Sequence, residues 1–290
     1  MKPPRFEYLA PRALDEALGA LAMHGDRAKI LAGGQSLIPL LNFRLAHPDV
    51  VVDINRVGEL AYVREADGDV AIGALTRQHA VERSDVVRSR VPLLAEACRF
   101  IGHAPIRHRG TVGGNLAHAD PASELPAVMV ALEAQLTLAR AGAARTLPAD
   151  RFFVGPLATA VAPGELLIDI RVPRASPRTG SAFVEMARRA GDFALVGVAA
   201  VIALDGAGRC EWARVALCGV GGTPIRARTA EEALMGQSPA GAALDEAANR
   251  AAAATSPPSD VHASAAFRRK LARHFTREAI RIAAERAGRS

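Results

Sequence analysis

Two Gly-Gly segments, each following a short strand-like or turn-rich stretch, set narrow limits on the architecture of this chain. The later one lies within Arg109-Gly110-Thr111-Val112-Gly113-Gly114-Asn115-Leu116-Ala117-His118-Ala119-Asp120. Beyond it, Glu124 stands just before an apolar run with helical spacing: Leu125, Val128, Met129, Leu132. The earlier segment, Ala32-Gly33-Gly34-Gln35-Ser36-Leu37, follows the apolar stretch Lys29-Ile30-Leu31. Glycine has no Cβ, so backbone N–H groups in such turns can approach a ligand closely. Two of them in one domain suggest an elongated, phosphate-bearing ligand held at two places. Gly-Gly is also ordinary turn chemistry. Neither segment continues into Gly-Lys-Ser/Thr, and neither is Gly-x-Gly-x-x-Gly, so the phosphate-loop and nicotinamide fingerprints are absent.

Residue identity goes further than spacing. Ala32–Leu37 together with Thr111–Leu116 resembles the paired FAD-binding motifs of the medium subunits of molybdenum hydroxylases, a family that includes the carbon monoxide dehydrogenase flavoprotein and the FAD domain of xanthine dehydrogenase. Pro105-Ile106-Arg107, Ala117–Pro121, Phe152-Phe153-Val154-Gly155, Arg188–Ala194 and Gly219–Ala227 match as well. The resemblance runs in order along nearly the whole chain. It implies an α+β fold: an FAD-binding domain of two subdomains, of the vanillyl-alcohol-oxidase-like type, over residues 1–176. A smaller α+β domain, a short antiparallel sheet with helices, is expected over 177–290.

Composition agrees with a soluble protein having real cores. The chain has 290 residues, half of them apolar, and no uncharged apolar run approaches the length of a bilayer span. The N-terminus lacks the apolar core of a signal peptide, so the expected location is cytoplasmic. The formal charge is +6, and arginines cluster near the C-terminus at Arg268, Arg269, Arg273, Arg277 and Arg281, with Lys270. They alternate with Phe267, Leu271, Phe275 and Ile280, the pattern of a wet helix face rather than a nucleic-acid site. Cys98, Cys210 and Cys218 are too few and too scattered for an iron–sulfur or zinc site and read as buried small hydrophobes.

Periodicity supplies a coarse map. A helix carries Leu14, Ala17, Leu18 and Leu21 and closes near Gly25; a strand covers Lys29–Ala32, a short helix Leu37–Leu41, a strand Val50–Ile54. Asp67-Gly68 turns a hairpin, Thr76 caps a helix through Val81, and Pro92 starts another. Helix Leu125–Leu132 leads to strand Gln135–Ala139, Phe152-Phe153 plug the core, and Leu166–Val172 reads as a strand near a sheet edge. Pro173–Gly180 is the linker. Strands Phe183–Ala187, Leu195–Leu204 and Val215–Cys218 follow, then a helix from a Thr229–Glu232 capping box, an Ala-rich helix over 240–254 and a terminal helix from Ala265.

The resemblance assigns the site residue by residue. Backbone amides of Ala32, Gly33, Gly34, Gln35, Ser36 and Leu37 would cradle the FAD pyrophosphate. Thr111, Gly113, Gly114 and Asn115 would take the other side of the diphosphate or the ribityl chain. His118 and Glu124 fall near the cofactor; Glu124 either accepts from ribityl or ribose hydroxyls or is a helix-start carboxylate favoured by the macrodipole. Leu167 matches a position beside the adenine, or is a core leucine. Asp192 and Phe193 match a loop at the isoalloxazine edge, where the second residue can cover the ring. Val184 stands where some relatives carry a cofactor-contacting lysine. No nucleophile–base pair or acid–base dyad stands out, and neither catalytic nor metal-ligating residues are expected on this chain.

These matches imply an FAD-carrying oxidoreductase subunit that relays electrons. Substrate would be oxidised at a molybdenum cofactor on a large subunit. Electrons would pass through [2Fe-2S] clusters of a small subunit to this FAD and on to an external acceptor, in a dimer of heterotrimers. The alternatives are a self-sufficient flavin oxidoreductase of the same fold and a non-enzymatic nucleotide-binding interaction module.

Overall fold

The computed structural model describes residues 2–289 and contains a three-stranded, a five-stranded and a four-stranded sheet with a small two-stranded one. In the first unit, β1 (Glu7–Leu9), α1 (Leu14–His24), β2 (Ala28–Leu31), α2 (Leu37–Asn42) and β3 (Val50–Asp53) succeed one another. Parallel pairing in the order β1-β3-β2 places β3 in the middle, and its Val50, Val51 and Val52 are buried. The apolar face of α1 covers this sheet through Ala17, Leu18 and Leu21, and Gly25 ends the helix at φ 51°.

The second unit runs β4 (Val63–Ala66), β5 (Asp69–Gly73), α3 (Gln78–Arg83), α4 (Asp85–Arg90), α5 (Pro92–Cys98), α6 (Ala104–Arg109), α7 (Val112–His118) and α8 (Glu124–Ala131). It closes with β6 (Gln135–Arg140), β7 (Ala143–Pro148), β8 (Phe153–Gly155), β9 (Ala158–Thr159) and β10 (Leu166–Pro173). The antiparallel sheet order is β4-β5-β10-β6-β7, so β10 is the central strand and not an edge. Its polar positions misled the pattern reading: Asp169 is satisfied within the sheet by the Tyr62 hydroxyl at 2.6 Å. The Phe152 and Phe153 rings meet edge to face and fill the core, as expected.

The third unit is β11 (Thr179–Met186), β12 (Val196–Leu204), β13 (Cys210–Cys218) and β14 (Ile225–Arg226), in sequential antiparallel order, backed by α9 (Arg228–Leu234), α10 (Gly241–Ala253) and α11 (Ala265–Ala287). Every residue of β12 is buried because both of its faces are covered. One face packs on α10 and α11; the other, with Phe183, Ala199, Val201, Ala216 and Cys218, joins the same core as Leu94, Leu116, Met129 and Phe152 of the second unit. The sheets thus share a hydrophobic core across a connection of residues 174–178, shorter than the expected Pro173–Gly180 linker because Pro173 still pairs in β10 and Thr179 and Gly180 already pair in β11.

Three local readings change. Thr76 does not cap α3; its hydroxyl donates to Tyr62 O at 2.8 Å, and Arg77 holds the cap position. Thr229 lies inside α9, whose cap residue is Ala227, because Glu231 is drawn inward to accept from Val215 N and Arg226. Arg268 is not on the wet face of α11: it is buried, donates to Leu195 O and Gly219 O, and pairs with Asp260 at 2.7 Å. All three cysteines are buried and free, as expected.

Candidate functional site

The two Gly-Gly segments meet. A Cβ built on Gly33 would lie 2.6 Å from Arg109 O and 2.8 Å from Gly110 Cα, and one built on Gly114 would lie 3.6 Å from the Ala32 Cβ. A polar lattice fixes this contact. Asn55 Nδ2 donates to Ala32 O at 2.7 Å and to Asp53 Oδ1 at 2.6 Å, while Arg77 donates to Asn55 Oδ1 at 2.7 Å and to Arg109 O at 2.6 Å. Tyr8 donates to the same Asp53, and these donors hold its carboxyl below the usual carboxylate range although burial opposes them. Sequence reading missed Asn55 and Arg77; the Asp53–Asn55 spacing at a strand end is the signal that was available.

The segments do different work. Among the described residues, the backbone N–H groups of Gly33, Gly34, Gln35 and Ser36 have no protein acceptor. Gly34 at φ 75° bends this run, and α2 starts directly after it. Four adjacent amides without acceptors make an anion-binding concavity. The second segment is not a turn: Val112 to His118 form α7, capped by the Thr111 hydroxyl, which accepts from Gly114 N at 3.0 Å. Its amides are engaged, since Val112 N donates to Thr76 O, Gly113 N to Ala74 O and Asn115 N to Thr111 O. Gly113 is required by packing, because a Cβ there would stand 2.5 Å from that of Ala74. What α7 offers a ligand is therefore side chains: Asn115, whose Oδ1 accepts from Ser123 at 2.9 Å, and half-buried His118.

The remaining predicted residues divide. Leu167 sits in the core under α7, whereas its neighbours Leu166 and Ile168 belong to the cluster that includes Ala32. Glu124 opens α8, is only 5% exposed, and its carboxyl is pushed by burial up to about 7, its own backbone N–H drawing it partly back. Asp192 and Phe193 lie in the β11–β12 hairpin loop. Gly191 at φ 85° brings that loop so close to His103 that a Cβ would be 2.6 Å from the imidazole, which anchors it beside the segment leading into Gly110. Phe193 itself is 69% exposed. Val184 faces the core formed with α10 and α11. The next residue, Glu185, pairs with Gly197 and is on the face of β11 that meets the second unit, alongside Phe183; it was overlooked, although a lone carboxylate within Phe183–Ala187 marks it.

A cavity of about 440 Å³ abuts the lattice, lined by Asn55, Tyr62, Thr76, Arg77 and Ser84 among others, and does not include the glycine segments. The seam between the segments, not this hollow, carries the features of an elongated-ligand site, because the unengaged amides are there. The residues fit FAD on these grounds: an amide concavity for the diphosphate, a carboxyl and carboxamide for hydroxyls, and an exposed aromatic ring on the loop anchored by His103.

Comparison with known proteins gives the family. The family described as "FAD binding domain in molybdopterin dehydrogenase" matches residues 4–175, and "CO dehydrogenase flavoprotein C-terminal domain" matches 181–283. The 6-hydroxypseudooxynicotine dehydrogenase complex subunit alpha of Paenarthrobacter nicotinovorans is 42% identical over 99% of this chain and 97% of its own length. The caffeine dehydrogenase subunit beta of a Pseudomonas species is 45% identical over 82% of this chain and 80% of its own. Carbon monoxide dehydrogenase from Hydrogenophaga pseudoflava, in a form lacking the Mo-pyranopterin moiety of its cofactor, superposes with a TM-score of 0.96 at 40% identity, covering 99% of both chains. The chain belongs to the FAD-binding medium subunits of the molybdenum hydroxylase family, and is an FAD-dependent oxidoreductase subunit of a multi-subunit complex.

Proposed function

We infer that FAD lies along the seam between Ala32–Leu37 and α7, and that the chain relays electrons between an iron–sulfur subunit and an external acceptor. The single observation that carries this placement is the run of four acceptor-less amides at Gly33–Ser36, held against α7 by the Asn55–Arg77 lattice. Those amides and the Ser36 hydroxyl bind the diphosphate. Thr111 and Gly114 wall the seam, Gly113 lets α7 seat against Ala74 behind it, and Asn115, His118 and Glu124 serve the ribityl or ribose hydroxyls. Leu167 supports the adenine end from within the core. Asp192 and Phe193 border the ring at the junction with residues 177–290, which form the smaller domain beside an FAD-binding domain of residues 1–176.

Bound FAD supplies a carrier able to exchange electrons one or two at a time; the protein positions it and excludes water. The partners are a large subunit with the molybdenum cofactor and a small subunit with [2Fe-2S] clusters, in a dimer of heterotrimers located in the cytoplasm. Relatives named for hydroxypseudooxynicotine, caffeine and carbon monoxide share this subunit type, which supports placing substrate choice on the large subunit. Among the described residues no helix is long and apolar enough to cross a membrane. An absorbance scan of the purified chain, followed by release and identification of the flavin, tests the reading. A yellow protein yielding FAD is expected; a colourless one, or one yielding no flavin after reconstitution with FAD, overturns it.

A further inference from the structure

Two carboxyl side chains, buried Glu124 and half-buried Glu185, stand at the junction between the second unit and the C-terminal sheet, and among the described residues neither makes an ion pair. Glu185, Gly197 and Cys218 lie abreast across β11, β12 and β13. They face the core that the sheet shares with the second unit, and a Cβ on Gly197 would meet Cys218 Sγ at 2.6 Å. α8 covers β12 and β13, and its approach is fixed where Gly219 N donates to Pro121 O at 2.8 Å. That contact puts Glu124, at the start of α8, by the Cys218 end of this row, and Gly197 in its middle has no side chain to separate that end from Glu185. Glu185 Oε2 is sealed from solvent with no hydrogen-bond partner. Burial first and the Glu124 charge second push its carboxyl up to about 8.

The surrounding groups do not neutralise this pair. From α5 comes the Cys98 thiol, and from β13 the Cys218 thiol, which burial and then both carboxylates push well up. Asp120, before α8, adds further negative charge. The guanidinium of Arg268, from α11, is taken by Leu195 O, Gly219 O and Asp260. Arg107 is taken by Glu82 at 2.9 Å, and Arg188 of the hairpin loop bonds His262. Arg189 and Asp192 belong to the same loop, and His103 lies against Gly191. Two carboxyls in a low-dielectric site without a counter-cation cannot both ionise cheaply, so they titrate as a unit.

We propose that Glu185 and Glu124 form a proton-holding pair beside the flavin, keeping a proton at neutral pH and taking up another when the flavin is reduced. This rests on the proposed placement of the flavin ring at the hairpin loop that directly follows β11, the strand carrying Glu185. Two electrons, delivered singly by the iron–sulfur donor, enter the ring with one proton and leave one added negative charge. The pair compensates that charge by accepting a proton from solvent at a carboxylate oxygen. When the external acceptor removes the two electrons, both protons return to solvent. Atoms and charge balance with no further reagent.

The test is potentiometric, on the full chain with its FAD bound. The flavin midpoint potential is measured against pH for the wild type, Glu185→Gln and Glu185→Asp, together with the reduced-minus-oxidised infrared difference spectrum. The wild type is expected to lose potential more steeply with rising pH than Glu185→Gln, which takes up about one proton fewer per two electrons. A protonated-carboxyl band should grow on reduction, vanish in Glu185→Gln and return in Glu185→Asp. Should Glu185→Gln release its flavin, the wild-type band and the Glu124→Gln protein give the same decision. A Glu185→Gln protein that keeps FAD with an unchanged slope and band overturns the inference and leaves the flavin placement standing. A wild type that takes up no FAD overturns that placement and this inference with it.

Discussion

At the scale of single residues, the glycines separate into those that serve the ligand and those that serve packing. Gly33 is where the two segments touch, and a branched side chain there would meet the backbone of Arg109 and Gly110, which has no rotamer to yield. Gly33→Val is expected to force the seam open and lose FAD while far-UV circular dichroism stays that of a folded chain; the flavin-to-protein absorbance ratio reports it, and full retention would refute the seam as the binding place. The carboxyls of Glu124 and Glu185 make a second residue-scale prediction. Their folded-state values are raised, to about 7 for Glu124 and about 8 for Glu185, above those of an unfolded chain. The folded state therefore binds more protons than the unfolded one between about pH 4.5 and pH 8, and stability falls as pH rises through that window. For Glu124, raised from 4.5 to about 7, the loss is on the order of 3 kcal/mol, an upper figure where two carboxyls are coupled. Urea midpoints of the flavin-free chain near pH 5.5 and pH 8 should differ in that direction, and Glu185→Gln should shrink the difference. Phe193 makes a third: as an exposed ring it contributes little to the core, so Phe193→Ala should change flavin fluorescence with almost no shift in the urea midpoint. Unfolding with unchanged fluorescence would make it a packing residue.

At the scale of elements, α7 shows packing overriding local preference. Two glycines at its start cost roughly 1 kcal/mol each in helix propensity, yet the helix forms because Thr111 caps it and Ala74 accepts from Gly113 N. Gly113→Ala regains that propensity but drives a methyl into Ala74 Cβ and O, at 2.5 and 2.8 Å, an overpacking that costs about 1–3 kcal/mol. The clash involves backbone on both sides, so net destabilisation is expected, read as a lower urea midpoint; a stabilised variant would show that the α7–Ala74 contact relaxes. The same conflict explains what could be read from the chain beforehand. The boundaries of α1, α2 and α5 follow from apolar period, Gly25 and Pro92, all local signals. The helical state of Gly113-Gly114, the central place of β10 and the burial of Arg268 depend on partners far along the sequence. Site residues carried by motif identity were legible as types; the lattice of Asn55 and Arg77 and the inward turn of Glu185 were not, because neither exists until separate elements pack.

At the scale of the whole molecule, the shared core has a functional consequence. Because Phe183, Ala199 and Cys218 pack with Leu116 and Met129, the C-terminal sheet cannot swing away without exposing apolar surface. On the proposed placement, the ring end of the seam is thereby held by the hairpin loop that carries the exposed Phe193 and Arg188-Arg189. A rigid flavin edge near the surface suits electron exchange with a docked cluster, and arginines suit bidentate pairing with a partner's carboxylates. The chain should therefore reduce its FAD at the expense of substrate only inside the complex. Co-expression with large and small subunits, followed by anaerobic substrate addition, is expected to bleach the flavin absorbance, and omitting the iron–sulfur subunit should leave it unbleached. Charge-reversal of Arg188 and Arg189 to Glu should slow the bleaching in the complex without altering the FAD content of the isolated chain. Substrate-dependent reduction at full rate by the isolated chain would sink the relay and return the self-sufficient oxidoreductase as the better account.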